Sequence, residues 1–251
     1  MGLDGKVCIM TGGGSGIGRA AAVMMAAEGA TMVAVGRTLS KVENVKAEIE
    51  AAGGKAAAFG LDVADNDAVN AMTKSVLDSY GKIDILVNNA GHSSVHRKLL
   101  TTTPEELRQV MESNLMGTVF CTQAAVPSML EAKRGTIINV SSMAGTNPSL
   151  LAGMSYSAAK AAVINFTHFL SAEYVNTGIR ATVVIPGEVD TPILNNRPVP
   201  PSDEARETMV PAEDAAATIA LIARLDWRTA IPELVIRPTM RRDVSGEVGT
   251  S

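Results

Sequence analysis

Cysteine is nearly absent from this sequence, and so are the signatures of metal sites, membrane spans and secretion. Cys8 and Cys121 are the only two cysteines among 251 residues, far apart and each inside an apolar run. A disulfide framework is therefore not expected, and both read as buried, reduced thiols of a cytoplasmic protein. His92, His96 and His168 stand at metal-ligand spacing with neither cysteine, and no H-E-x-x-H motif occurs, so no metal is expected. No apolar stretch approaches the roughly 20 residues that span a bilayer. The opening MGLDGKVCIM shows no basic segment followed by an apolar one, so a secretory signal is not expected. A net charge of −4 gives no electrostatic reason to expect nucleic acid or an anionic membrane as a partner.

What the chain does have is apolar and small residues: 46% is hydrophobic and 22 residues are glycine, enough for a large core with tight turns. Apolar, β-branched runs at 6–12, 31–36, 55–63, 83–91, 135–142, 179–187 and 233–238 alternate with helical patterns. Amphipathic stretches such as SGIGRAAAVMMAAEGA (15–30) and SKVENVKAEIEAAGG (40–54) close with glycine, as helices do. Met24 and Met25 read as core residues of the first of these. Strands that are continuous apolar runs are buried on both faces, the mark of a parallel sheet covered by helices. The pattern predicts an α/β fold: a Rossmann-type, doubly wound, mainly parallel seven-stranded sheet with helices on both faces. No linker or repeat divides the chain, so residues 1–251 are read as a single domain. Long loops at 91–106, 143–155 and 187–208 follow strands and so belong to the carboxyl edge of the sheet, where open α/β proteins bind ligands. Residues 187–208 are read as a mobile substrate loop and 240–251 as a C-terminal tail.

TGGGSGIGRA (11–20) follows the first strand and opens a helix. Gly12, Gly16 and Gly18 are spaced G-x-x-x-G-x-G, with Gly14, Ser15 and Ile17 between them. Such a turn lets the backbone touch a pyrophosphate, which the free N–H groups and partial positive charge of the helix start then favour. The second strand ends VAVGRT. Where an NAD site commonly carries an acid stands Gly36, followed by Arg37. A guanidinium gripping a 2′-phosphate contributes roughly 1.5–3 kcal/mol, about a 10- to 100-fold preference. NADP(H) is the expected cofactor, with NAD(H) as the alternative.

Taken together, TGGGSGIG, LDV (61–63), NNAG (88–91), Asn114, SS (141–142), YSAAK (156–160) and PGEVDTP (186–192) resemble the short-chain dehydrogenases/reductases, in the one-domain branch of that family. The resemblance covers residues 5 to about 195, and the combination is far more specific than Y-x-x-x-K alone. It implies that Asp62 and Val63 meet the adenine and that Asn88, Ala90 and Gly91 line the cofactor cleft. Pro186, Gly187, Val189 and Thr191 would hold the nicotinamide, and Asn114, Ser142, Tyr156 and Lys160 would form the catalytic group. Tyr156 and Lys160 would also touch the cofactor, Lys160 at the ribose hydroxyls. Ser142 is chosen over Ser141 because SMAG (142–145) matches the family's S-x-x-G, leaving Ser141 to face the other way. Ser142 and Tyr156 lie 14 apart, one more than usual, a difference that a bulge in NPSLLAG (147–153) would absorb. The ending ELVIRPTMRRDVSGEVGTS lacks V-D-G-G and resembles a subgroup acting on small hydroxy or oxo compounds rather than the ketoreductases of fatty-acid elongation. Its last residues are expected to be disordered or to reach a neighbouring subunit. Relatives pair through two long helices, here at about 114–132 and 155–177, which implies a homodimer or homotetramer.

Spacing of four puts Tyr156 and Lys160 on one helix face. Lowering a phenol's pKa by three units takes about 4 kcal/mol, and one unit charge at about 4 Å in an effective dielectric near 20 supplies roughly that. Lys160 is therefore expected to pull Tyr156 down. The activity expected is NADPH-linked reduction of a carbonyl on a small molecule, Tyr156 giving the proton and Ser142 holding the oxygen. Asn114 would anchor a water between Lys160 and solvent. The alternatives are an NAD-linked alcohol dehydrogenase of a catabolic route and a non-catalytic dinucleotide-binding regulator. Near the pocket lip, Arg197 is a candidate partner for a carboxylate, Met154 a candidate lining residue, and His92 and His96 either substrate contacts or solvent-exposed.

Overall fold

The computed structural model describes residues 2–248. Each apolar run becomes a strand and each amphipathic stretch a helix. The chain runs β1 (Val7–Thr11), α1 (Gly16–Ala27), β2 (Thr31–Gly36), α2 (Leu39–Ala51), β3 (Lys55–Gly60), α3 (Asn66–Tyr80) and β4 (Ile85–Asn88). The second half adds α4 (Pro104–Met111), α5 (Gly117–Glu131), β5 (Gly135–Val140), α6 (Met143–Thr146) and α7 (Met154–Glu173). It closes with β6 (Ile179–Pro186), α8 (Asp203–Glu207), α9 (Ala212–Arg224) and β7 (Glu233–Ile236). All seven strands are parallel, in the order β3-β2-β1-β4-β5-β6-β7. The order reverses between β1 and β4, which opens a crevice at the carboxyl edge.

Alternation along β1 divides the core into two layers. Cys8 and Met10 pack with α1, α2 and α9, whereas Val7 and Ile9 pack with α3, α5 and α7. The layers are aliphatic, with Ile137 and Ile138 on opposite faces of β5 and both fully buried. Each such side chain stabilises the fold by roughly 1.5–3 kcal/mol relative to exposure. Both cysteines are buried free thiols, and burial pushes Cys121 up to about 12 and Cys8 higher still. Among the described residues, no helix is long and apolar enough to cross a membrane.

The strands stop short of the apolar runs. LDV and AG fall just beyond the pairing, in the loops that wall the crevice. The helix expected at 114–132 begins ten residues earlier, because Thr103 caps it by accepting from the Glu106 N–H and Pro104 supplies its first turn. A single π-helical turn at Glu112–Met116 joins α4 to α5. The helix expected at 155–177 ends at Glu173.

Candidate active site

Loops after β1, β2, β4, β5 and β6 enclose a cleft of about 1010 Å³, with an adjoining hollow of about 180 Å³. At one end lies the glycine loop, fastened by β4. The Thr11 hydroxyl accepts from the N–H groups of Asn89 (3.0 Å) and Ala90 (3.1 Å). The Asn89 amide donates to the carbonyls of Thr11 (3.1 Å) and Gly12 (3.3 Å). Gly12 has φ of +65°, where side chains are strained. At Gly18 a Cβ would fall 2.3 Å from the Gly12 oxygen, so only glycine lets α1 pack this tightly behind the loop. Gly12, Ser15, Gly16 and Ile17 line the cleft and Gly14 the hollow, while Gly18 lines neither. Ser15 caps α1 without bonding back to it, so its hydroxyl and the first-turn N–H groups are free for an anion. A dinucleotide's pyrophosphate fits this cradle.

In the hollow, Arg37 is exposed and has no ion-pair partner among the described residues. Lys41, which was not among the residues singled out in the sequence, shares that lining with Arg37 and Thr38. Asp62 and Val63 form the opposite wall; the Asp62 carboxylate accepts from the Ala64 N–H at 3.0 Å. Ala90 and Gly91 line both cavities. Asn88 does not reach them, contrary to expectation. Its amide points into the layer of α5, donating to Thr122 (3.1 Å) and Asn139 (2.9 Å). Neighbours on a strand face opposite ways, so the residue at the cleft is Asn89.

The four residues of the expected catalytic group share one wall of the cleft. Asn114 sits in the π turn, fully buried. Its amide donates to the carbonyls of Val110 (2.9 Å) and His92 (3.0 Å), and its Oδ1 has no partner. Lys160 donates to the Val140 carbonyl at 3.0 Å and lies 5.6 Å from the centre of the Tyr156 ring. Burial lowers Lys160 to about 8. Tyr156 was expected to be pulled below its ordinary value, but burial pushes its phenol up, and hydrogen bonding with Ser142 and the charge of Arg197 only partly offset this. Ser142 caps α6, accepting from the Ala144 N–H at 3.1 Å. Ser141 faces the other way and donates to the Lys160 carbonyl at 2.8 Å. Between them and α7 the chain turns at Ser149–Gly153 and returns so that Ser142 and Tyr156 still meet.

At the far end, Pro186, Gly187, Val189 and Thr191 line the cleft. The 187–208 segment, expected to be a mobile loop, is tied down: Val189 pairs with Val210, Arg206 bridges to Asp190 at 2.7 Å, and a short 3-10 turn and α8 give it structure. The tail was expected to be disordered or to reach another subunit. Residues 240–248 are ordered and fold across the chain's own cleft, where Met240, Arg242 and Val244 line it; residues 249–251 lie outside the described part. A closed ring of charges holds them. Arg197 meets Glu188 (3.0 Å) and Glu247 (3.1 Å), and Arg242 grips both carboxylates with paired bonds. His92 lines the cleft with Ser113 Oγ 2.8 Å from its Nδ1, and burial and Arg37 hold its imidazole below the ordinary value. His96 is bound to Glu106 at 2.8 Å and lines no cavity, and neither does Met154.

A family model described as short chain dehydrogenase matches residues 6–200. The chain belongs to the short-chain dehydrogenase family. This dehydrogenase is 37% identical over 210 residues to a 3-oxoacyl-[acyl-carrier-protein] reductase of Thermotoga maritima, covering 83% of this chain and 82% of that one. It is 38% identical over 193 residues to a 3beta-hydroxysteroid dehydrogenase of Mediterraneibacter gnavus, covering 76% and 68%. Among solved structures, a metagenomic short-chain oxidoreductase in complex with NADP superimposes with a TM-score of 0.83 at 33% identity, over 95% of this chain and 99% of that one.

What the sequence reading of the dehydrogenase missed falls into two kinds. Asn89 stands beside the named Asn88, so strand phase was the missing signal, and Lys41 lies in the first turn of α2, which brings it back to the hollow that Arg37 lines. Arg242 and Glu247 lie in a polar ending with no motif, and only their contacts with residues some fifty positions away reveal them.

Proposed function

We propose that this dehydrogenase uses NADP(H) to interconvert a secondary alcohol and a ketone or aldehyde on a small molecule, with Tyr156 as acid/base. The observation that carries the reading is one continuous cleft. It runs from the glycine loop and the unpaired Arg37 to a wall where Ser142, Tyr156 and Lys160 stand together. Arg37 and Lys41 suit a 2′-phosphate, and the similar solved structure holds NADP. The chemistry a bound nicotinamide supplies is hydride transfer to or from the carbon that bears the oxygen.

A phenol held above its ordinary value stays protonated at neutral pH and has a proton to give, which favours carbonyl reduction. Ser142, which lines the cleft beside that phenol, would fix the substrate oxygen next to it. Lys160 is largely charged at neutral pH, able to hold ribose hydroxyls and to stabilise the phenolate left behind. The unpartnered Asn114 Oδ1 can accept from a water that links Lys160 to solvent. Reduced thiols fit a cytoplasmic location. Exposed apolar side chains on the long helices, Leu130 and Phe169 among them, fit a homodimer or homotetramer.

Titration with NADPH and NADH, followed by Trp227 and nicotinamide fluorescence, tests the reading. NADPH is expected to bind about 10- to 100-fold tighter, and Arg37→Asp to abolish the difference. Equal affinities would leave Arg37 without a role and point to an NAD-linked alcohol dehydrogenase.

A further inference from the structure

Arg97 is the most anomalous charge in the molecule. Only 9% of its surface is exposed, and none of its three guanidinium nitrogens has a hydrogen-bond partner. Its stem packs on Gly153, its carbonyl accepts from the Met154 N–H at 3.1 Å, and Leu151, Ala152 and Tyr156 around that contact line the cleft, while Arg97 itself is sealed behind them and lines neither cavity. The hydroxyl of Ser155, on the same turn, is likewise buried and unpartnered. Arg97 lies within the field of Arg197 and Glu247, the members of the charge ring at this end. A guanidinium carries five donors in a planar fork and cannot shed its proton at neutral pH, so burying it unpaired is unfavourable. Such a group is retained where an acceptor arrives from outside.

The surroundings agree. The tail end of the cleft is lined by Arg197, Arg237, Arg241 and Arg242; Glu188 and Glu247 pair with Arg197 and Arg242, which leaves Arg237 and Arg241 without an ion-pair partner among the described residues. This excess sits in a protein of net charge −4. The phosphates of a dinucleotide belong to the opposite end, with the glycine loop, Arg37 and Lys41, and so do not neutralise it. A cleft lined by one sign of charge concentrates ligands of the other.

We propose that the substrate carries a carboxylate and that Arg97, turning out from behind this wall, holds it together with Arg197 at the tail end of the cleft. This rests on the reading of the cleft as a carbonyl-reducing site and adds the substrate class. A planar carboxylate accepts two parallel bonds from one guanidinium, so a small oxo acid is held with its carbonyl directed along the wall toward Tyr156.

Acetoacetate and methyl acetoacetate differ in that one charge and make a matched pair of probes. Their affinities for the full-length protein are measured by calorimetry, alone and saturated with NADPH. The wild type is expected to bind the acid at least 10-fold tighter than the ester, the scale of one charge-assisted bond. In Arg97→Met the ratio is expected to fall to near one, and in Arg97→Lys, which keeps the charge without the fork, to an intermediate value. The ratio is taken within one protein, so it does not depend on how much of a variant preparation is folded. Arg97→Met is also expected to unfold at a temperature no lower than the wild type, since it removes an unpaired buried charge. Equal binding of acid and ester by the wild type overturns the proposal, as does a ratio that survives Arg97→Met. Failure of the nucleotide reading registers separately, as loss of NADPH binding or of ester turnover.

Discussion

At the glycine-loop end the cleft wall is backbone: Gly12 and the Asn89 clamp line it, and with Gly18 behind them they pack so closely that no added Cβ has room. At the tail end the wall is side-chain charge, a ring of two arginines and two glutamates that joins the β6 loop to residues some fifty positions on. The first kind of wall is part of the core and shares its stability. The second is held by interactions that salt and acid weaken, and it can reorganise around a ligand without disturbing the sheet. A dinucleotide needs the same cradle every time, whereas a substrate must enter and leave.

The largest effect is expected where the two ends meet. Tyr156→Phe removes the acid and is expected to lower kcat by about 10²- to 10⁴-fold, measured with any accepted carbonyl at saturating NADPH. A drop under 10-fold would give the proton to another group. Breaking the backbone-built end comes next: Gly18→Val places atoms on the Gly12 carbonyl and is expected to cost about 3 kcal/mol of stability, with NADPH binding weakened in proportion. Denaturant melts and nucleotide titration read both, and a variant that does neither would show the loop free to shift.

Lys160 lies between the two kinds of wall, and its test is a pH dependence. Its pKa falls from 10.5 to about 8 on folding, so between those values the unfolded chain binds more protons and stability rises with pH. Against Lys160→Met, the wild type is expected to gain about 2–3 kcal/mol across that window; parallel curves would mean that the ammonium is not desolvated. The smallest effect belongs to the charge ring. Burial alone would raise the Glu188 carboxyl, but Arg242 and Arg197 outweigh it and hold it below the ordinary 4.5. The ring's contribution is thus present above that pH and lost as pH falls below it. Glu188→Gln is expected to cost about 1 kcal/mol at neutral pH, with the gap to wild type closing in acid and narrowing in high salt. A gap constant from pH 7 to pH 3 would mean that Glu188 acts through packing.

Much of the fold was legible because it is written locally. Strand–helix alternation, the glycine loop and the four-residue step from Tyr156 to Lys160 depend on neighbours within a few turns, and the structure builds each where the pattern put it. The misreadings came where distant segments decide. Asn88 and Asn89 are equivalent in sequence, and only the pairing of β4 with β1 and β5 decides which one faces the cleft. The sign of the Tyr156 shift was missed because the lysine's charge is visible in the motif while the burial that outweighs it is not. Nothing in MRRDVSGEV (240–248) shows that it folds over the site.

The sequence by itself determined the parallel sheet, the seat for a pyrophosphate and the helix that carries the tyrosine and lysine, because periodicity, glycine geometry and helical spacing act over short stretches of chain. The tertiary structure alone decided how deeply Tyr156 and Lys160 are buried, that the tail closes over the substrate end, and that Arg97 is left without an acceptor. Desolvation and ion pairing depend on what the rest of the chain brings alongside, and no local pattern records that.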